Sequence, residues 1–114
     1  MARILIVDDE PLIAMLAEEW LQEMGHTPVG PAHDLTSALA LAETDIDGAI
    51  IDVTLGRETG YPVAKALAVR NIPFAFATGH AEAQSSPDYK AAALLRKPFE
   101  FDAFRSAIET LLAS

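Results

Sequence analysis

The sequence predicts an α/β protein, in which a single doubly wound five-stranded parallel sheet carries helices on both faces. Two observations lead to this fold class. Short, continuous apolar segments rich in β-branched residues recur along the chain, and such segments are typical of strands buried on both faces. They alternate with longer segments whose apolar residues recur at helical spacing, and this alternation favours parallel strands joined by helical crossovers.

The first half of the chain begins with a strand and a helix. Ile4–Val7 is the first predicted strand, and Pro11 opens a helix whose apolar residues continue until Gly25 ends it. The next expected elements are a short strand at His26–Val29, a turn at Gly30-Pro31 and a helix over Leu35–Glu43.

The second half repeats the pattern with three further strands. The expected elements, in order, are the strand Gly48–Ile51, the loop Val53–Gly60, the helix Tyr61–Arg70, the strands Phe74–Ala77 and Ala92–Leu95, and a helix from Phe101 to Leu112. Between the last two strands, Ser86-Pro87 interrupts the helical pattern of Ala81–Ala91. We therefore expect the fourth helix to be short or disordered.

Length and composition restrict what the chain can do. We expect its 114 residues to form one domain, 1–114, without a second module. The net charge of -9 would repel a phosphate backbone, so no nucleic-acid partner is expected. The absence of cysteine excludes disulfides and thiolate metal sites and indicates a cytoplasmic location. The opening apolar run is too short for a signal peptide or a membrane span, so no membrane association is expected.

Polar residues follow the predicted strands at their carboxyl ends, where open α/β sheets place their functional crevice. Asp8 and Asp9 follow the first strand, and Asp52, Thr78 and Lys97 follow the third, fourth and fifth strands, respectively. Each has an ordinary explanation by itself: Asp9 could cap a helix, Asp52 could form a turn, and Lys97 could be a solvated charge. Together they bring three carboxylates, a hydroxyl and an ammonium to one edge of the sheet.

Three carboxylates in one crevice repel each other unless a proton or a cation neutralises them. A hard divalent cation with oxygen ligands is the usual solution, so the sequence predicts bound Mg²⁺. A free carboxylate could then attack phosphorus and form an acyl phosphate. The lysine and the hydroxyl would position the phosphoryl group and neutralise its charge, and no general base would be needed.

In order and strand placement, Asp8-Asp9, Asp52, Thr78 and Lys97-Pro98 resemble the signature positions of response-regulator receiver domains, and the resemblance covers the whole chain. It implies a flavodoxin-like receiver fold and a single-domain response regulator, with no output domain. It also implies that Asp52 is the phosphoacceptor and one of the metal ligands. Such a protein is a phosphoacceptor and not an enzyme with an external substrate.

The resemblance implies a role for each remaining position. Asp9 would ligate Mg²⁺ directly, Asp8 would do so largely through water, and the backbone carbonyl of Thr54 would complete the metal site. Lys97 would pair with the phosphoryl group. Thr78 would bond to that group and move inward on phosphorylation. The Lys97-Pro98 peptide would be cis, which aims the lysine into the crevice.

Some positions distinguish this chain from the common receiver pattern. Leu94 stands where the family usually has an aromatic switch residue. His80 lies two residues beyond Thr78, where the family places a side chain that tunes hydrolysis of the acyl phosphate. Phe76-Ala77-Thr78-Gly79 and Tyr61-Pro62 resemble the FATGUY subclass of stand-alone receivers.

The subclass resemblance also implies partners. A sensor histidine kinase of the HWE or a related type, or a phosphotransfer protein, would phosphorylate a monomeric protein within a phosphorelay. The phosphorylated protein would act by protein-protein contact or as a phosphate sink.

Two alternatives use the same residues. A small Mg²⁺-dependent aspartyl-phosphate phosphatase would turn over a phosphomonoester, but such enzymes commonly space their nucleophile and general acid two apart, whereas Asp8 and Asp9 are adjacent. A receiver-like adaptor that is never phosphorylated would not need all five signature positions. The three histidines match no zinc-ligand spacing, so a zinc site is not expected.

Overall fold

The computed structural model describes residues 1–79 and 93–113. Within these ranges the elements, in chain order, are β1 (Arg3–Val7), α1 (Pro11–Glu23), β2 (Thr27–Ala32), α2 (Leu35–Leu41), β3 (Gly48–Asp52), β4 (Thr54–Leu55), β5 (Glu58–Thr59), α3 (Tyr61–Val69), β6 (Phe74–Thr78), β7 (Ala93–Arg96) and α4 (Phe101–Leu112). The helix expected at Ala81–Ala91 and the first residue of the predicted strand Ala92–Leu95 lie outside the described residues. None of the helices described is long and apolar enough to cross a membrane.

Five strands form one parallel sheet in the order β2-β1-β3-β6-β7, which confirms the predicted fold class. Chain order and sheet order diverge at β1, because the chain moves outward to β2 and then returns to the other side of β1 to form β3. In sheets of this kind, the switch between the two directions opens a crevice at the carboxyl ends of the strands. The fold therefore places its functional crevice above β1 and β3.

Alternate residues of the central strands β1, β3 and β6 enter two separate cores, as expected for a sheet covered on both faces. On one face, the buried strand residues include Leu5, Val7, Ala49, Ile51, Phe74 and Phe76, which pack against α2 and α3 through Ala38, Val63, Ala64 and Leu67. On the other face, they are Ile4, Ile6, Ile50, Ala75, Ala77 and Leu95, which pack against α1 and α4 through Ala14, Ala17, Leu21, Phe104, Ile108 and Leu111.

An aromatic cluster fastens the connection between β7 and α4 to α1. Trp20 on α1 lies 6.1, 5.6 and 5.5 Å from the ring centroids of Phe99, Phe101 and Phe104, respectively. Ring pairs at these separations add stabilisation beyond their buried area. Phe99 follows Lys97 by two residues, so this packing also fixes the segment that carries the lysine.

The predicted turn at Gly30-Pro31 is wrong, because both residues lie inside β2. The register passes from Leu5 opposite Val29 to Val7 opposite Ala32, so β2 contains one extra residue at this point. Gly30 permits the irregularity with a φ of +94°. Prolines are tolerated in β2 because it is an edge strand, where a missing N–H need not interrupt a ladder.

The loop predicted at Val53–Gly60 contains the short antiparallel hairpin β4-β5, with Gly56 in the turn at φ +59°. Sequence periodicity cannot detect strands of two residues. Outside β2, the other described boundaries coincide with the expected ones or differ by one or two residues, which is the usual uncertainty of strand and helix ends.

Candidate functional site

The carboxyl ends of β1, β3, β6 and β7 meet at one cleft of about 470 Å³. Its lining among the described residues consists of Asp9, Glu10, Ile13, Asp52, Thr54, Gly79, Lys97 and Pro98. Asp8 and Thr78 are buried at the ends of β1 and β6. The structure thus brings together the strand-end residues that the sequence predicts as one site.

Asp52 is the last residue of β3, and its carboxylate is held on both sides. Oδ1 accepts a hydrogen bond of 3.1 Å from the Thr54 N–H, and Oδ2 lies 2.9 Å from Nζ of Lys97. Gly60 packs so closely behind this strand end that a Cβ there would collide with the Asp52 carbonyl oxygen and with Cγ2 of Ile51. The backbone that presents the carboxylate is therefore fixed from behind.

Lys97 is shared by three carboxylates rather than one. Its Nζ lies 2.9 Å from Asp8 Oδ2, Glu10 Oε1 and Asp52 Oδ2, and its side chain is only 10% exposed. The lysine backbone N–H also donates to the Thr78 carbonyl at 2.8 Å, and the Lys97-Pro98 peptide is cis. Lys97 is thus a largely buried part of the site and not a solvated surface charge.

Glu10 belongs to the site, although the sequence pattern does not predict it there. It follows Asp9 directly, and its exposed side chain reaches the lysine across the mouth of the cleft. The sequence does contain a signal for Glu10, because it is the third acid in the run Asp8-Asp9-Glu10. A lysine that faces two acids at a strand end can also reach an acid at the start of the next helix.

The charges in the cleft are unbalanced in the absence of a metal. Burial raises the pKa of Asp52 from 3.8 to about 7, and the charge of Asp8 adds to the rise while Lys97 opposes it. Burial alone would lower the pKa of Lys97, but hydrogen bonds to Glu10, Asp8 and Asp52 raise it above its ordinary value. The lysine therefore stays charged, and the carboxylates exceed what one ammonium can neutralise.

Asp9 does not cap α1, so that alternative explanation for the acid is wrong. The N-cap residue is Glu10, without a side-chain capping bond, and Asp9 Oδ2 instead accepts a 2.8 Å hydrogen bond from the Gly56 N–H in the β4-β5 turn. Asp9 thereby joins the β1-α1 turn to the hairpin on the opposite wall of the cleft.

The donor set fits a hard divalent cation. Asp8, Asp9, Glu10 and Asp52 each offer one carboxylate oxygen, and these oxygens lie within 4.8 Å of one another. Oxygen-only ligands from carboxylates are what Mg²⁺ prefers. Because these carboxylates also exceed the positive charge beside them, added positive charge would be stabilised here.

The remaining candidate residues fall in different places. Leu94 lies on β7, is 40% exposed and pairs in register with Phe76. His80 lies outside the described residues. His26 and His33 are at opposite ends of the sheet, because His26 bonds to the Ala2 N–H and His33 bonds to the Asp8 carbonyl. They cannot share a zinc ion.

Comparison with known proteins agrees with this geometry. Residues 4–109 match the family model described as the response regulator receiver domain. The transcriptional regulatory protein PdtaR of Mycobacterium tuberculosis is 37% identical over 112 residues, which cover 94% of this chain and 55% of PdtaR. The chain therefore spans about half the length of the curated relatives it matches.

Two solved structures extend the comparison. SdrG from Sphingomonas melonis is 45% identical with a TM-score of 0.84, and the match covers 98% of this chain and 97% of that one. The receiver domain of the sensor histidine kinase PA1611 from Pseudomonas aeruginosa, solved with magnesium in its active site cleft, shares the fold at 20% identity and a TM-score of 0.84, over 99% of this chain and 98% of that one. Fold, cleft and family match lead to one conclusion: this chain belongs to the response regulator receiver domain family, whose members are phosphoacceptor signalling proteins that interact with histidine kinases or phosphotransfer proteins.

Proposed function

We propose that Asp52 accepts a phosphoryl group from a phosphohistidine in a two-component phosphorelay. The observation that supports this assignment best is the Asp52 carboxylate at the end of a central strand, 2.9 Å from the Lys97 ammonium and open to a cleft lined by further carboxylates. Phosphoryl transfer depends mainly on positioning and charge neutralisation, and this arrangement supplies both.

Residues of the cleft supply the nucleophile and the groups that bind the phosphoryl oxygens. A carboxylate oxygen of Asp52 attacks phosphorus, the new O–P bond forms as the P–N bond of the phosphohistidine breaks, and the imidazole of the donor leaves. Lys97 then exchanges a carboxylate partner for a phosphoryl oxygen, and the hydroxyl of Thr78 binds another. No general base is required, because the attacking carboxylate carries no proton once it is ionised.

Asp8, Asp9, Asp52 and the backbone carbonyl of Thr54 are the groups that would hold Mg²⁺. When bound, the ion neutralises the carboxylates and the phosphoryl oxygens. With that neutralisation, the Asp52 carboxyl would be ionised at neutral pH. Glu10, at the mouth of the same cluster, holds Lys97 through a carboxylate that an incoming phosphoryl oxygen would have to displace.

The signal then passes to other proteins by contact, either as a relay step or as a phosphate sink that drains a kinase. The donor is a sensor histidine kinase of the HWE or a related type, or a phosphotransfer protein. The chain acts as a monomeric, stand-alone cytoplasmic receiver of the FATGUY subclass. The similarity to SdrG over nearly the whole of both chains supports a protein of this kind.

Intact-mass spectrometry after incubation with Mg²⁺ and acetyl phosphate tests the proposal. The wild type should gain one phosphoryl group, and EDTA or Asp52→Asn should prevent the gain. Asp47→Asn is the matched control, because this exposed carboxylate bonds to the Arg3 N–H near the opposite end of β1 and should leave labelling intact. Labelling that persists in Asp52→Asn would overturn the assignment.

A further inference from the structure

We infer that His33 is a positioning residue for the acidic cluster: from the end of β2, its imidazole holds the backbone of Asp8 in place. The ring Nδ1 lies 2.9 Å from the carbonyl oxygen of Asp8. This role rests on the proposed function, because it matters through the metal and phosphoryl site that Asp8 helps to form.

Every polar atom of Asp8 has a partner. Its N–H donates to the Ala32 carbonyl at 3.0 Å, and its carbonyl accepts from His33. The last residue of β2 and the residue after it therefore bind the peptide groups on both sides of Asp8. Its side chain accepts from the Glu10 N–H through Oδ1 and contacts Lys97 through Oδ2, both at 2.9 Å. Among these contacts, only the one from His33 joins another residue's side chain to the Asp8 backbone.

The irregularity in β2 is what brings His33 to this place. The extra residue between Val29 and Ala32 moves the rest of β2 by one position relative to β1. Because side chains alternate between the faces of a strand, a change of one residue reverses the side to which each following side chain points. In the sequence, Gly30-Pro31 looks like a turn that ends this strand, so the pattern does not predict His33 beside the site.

The chemistry of the contact determines which ring nitrogen carries a proton. A carbonyl oxygen only accepts hydrogen bonds, so Nδ1 of His33 must be the donor. His26 is in the reverse situation, because its Nδ1 lies 3.1 Å from the Ala2 N–H and must accept. When both rings are neutral, His33 should therefore carry its proton on Nδ1 and His26 on Nε2.

Two-bond ¹⁵N NMR of the metal-free protein tests this contact without any phosphorylation. At a pH where both rings are neutral, the ¹⁵N shifts and coupling patterns should assign the Nδ1–H tautomer to His33 and the Nε2–H tautomer to His26. An Nε2–H tautomer at His33 would overturn the inference, since that ring could not donate to Asp8.

Mg²⁺ affinity, measured by calorimetry, tests the consequence for the site. His33→Ala should weaken Mg²⁺ binding by about three- to tenfold, the usual value of one lost hydrogen bond. His33→Asn should stay within about twofold of the wild type, because the amide nitrogen of Asn can take the place of Nδ1 and donate the same bond. His26→Ala is the matched control, since it removes an imidazole-backbone bond at the far end of β1 and should leave Mg²⁺ affinity unchanged.

Equal Mg²⁺ affinity in His33→Ala and the wild type would overturn the positioning role, as would Asn failing to restore what Ala loses. Both results are distinguishable from a failure of the proposed function. If the proposed function is wrong, the wild type itself will bind no Mg²⁺ and accept no phosphoryl group, and the positioning role of His33 will be wrong as well.

Discussion

Replacing Asp52 with Asn should make the metal-free protein more stable at pH 8. In the wild type, the ionised Asp52 is buried and shares one ammonium with two other carboxylates. Asn keeps the shape of the side chain, and its Oδ1 can still accept from the Thr54 N–H. Its amide nitrogen cannot accept from Lys97, which keeps Asp8 and Glu10 as partners. The substitution therefore removes an unfavourable charge without leaving a partner unpaired.

The pKa of Asp52 sets the size of the effect. At about 1.4 kcal/mol per pH unit, its rise from 3.8 to about 7 gives a ceiling of roughly 4 kcal/mol. The cleft is open to water, and screening reduces the effect to about 1–2 kcal/mol. For a domain of this size, that difference raises Tm by about 4–8 °C.

The sign of the pH dependence follows from the same shift. Because the folded-state pKa lies above the unfolded one, the folded wild type holds a proton that stabilises it at low pH, and this stability is lost as pH rises through about 7. The advantage of Asp52→Asn should thus be absent near pH 4, grow up to about pH 7 and remain constant above it.

Thermal unfolding followed by circular dichroism in EDTA, from pH 4 to pH 8, measures this advantage. Groups common to both proteins cancel in the difference. Glu109→Gln, on the exposed side of α4, is the control for removing one negative charge from a protein of net charge -9, and it should change Tm little at any pH. An Asp52→Asn protein that is less stable than the wild type at pH 8, or an advantage that does not vary with pH, would refute the reasoning.

Three further substitutions test other parts of the site. Lys97→Met should lower the free energy of unfolding of the metal-free protein by about 2–3 kcal/mol, measured in urea, because it leaves buried carboxylates without their cation. Saturating Mg²⁺ should restore part of the loss, and a loss that Mg²⁺ does not reduce would contradict this. Gly60→Ala should lower the free energy of unfolding by about 2 kcal/mol or more and slow labelling by acetyl phosphate, because its Cβ collides with the strand that carries Asp52. Its control is Gly25→Ala, in open space at φ +84°, which should lower the free energy of unfolding by about 1 kcal/mol and leave labelling unchanged. Glu10→Gln should speed labelling by up to about fivefold, because a phosphoryl group then has one fewer carboxylate to displace from Lys97; slower labelling would mean that Glu10 assists the transfer instead.

Sequence patterns were sufficient to predict the sheet and the main cleft residues. Continuous apolar strands such as Gly48–Ile51 can only be buried on both faces, and parallel strands must end at the same edge. Asp52 and Lys97, which are 45 positions apart in the chain, could therefore be placed together without coordinates. The chemistry at the strand ends follows from topology, and topology follows from hydrophobic alternation.

Three other features, the bulge in β2 and the contacts of Asp9 and Glu10, depend on local geometry that the pattern of residue types along the sequence does not show. The extra residue in β2 looks like a turn in the sequence, because Gly30-Pro31 is a common turn dipeptide and nothing local distinguishes a bulge from a chain reversal. The hydrogen bond from the Gly56 N–H to Asp9 joins two loops through a backbone group, which any residue type could supply. The reach of Glu10 to Lys97 depends on the angle at which α1 begins.

The composition of β2 has one more consequence, which concerns self-association. This strand forms one edge of the sheet, and an edge with regularly spaced free N–H groups can template a strand from another molecule. Pro28 and Pro31 remove two of those donors, and the bulge between them breaks the spacing of the rest. A second copy of the chain would find no continuous ladder here, so the irregularity that presents His33 to the site also guards this edge against intermolecular strand pairing and aggregation.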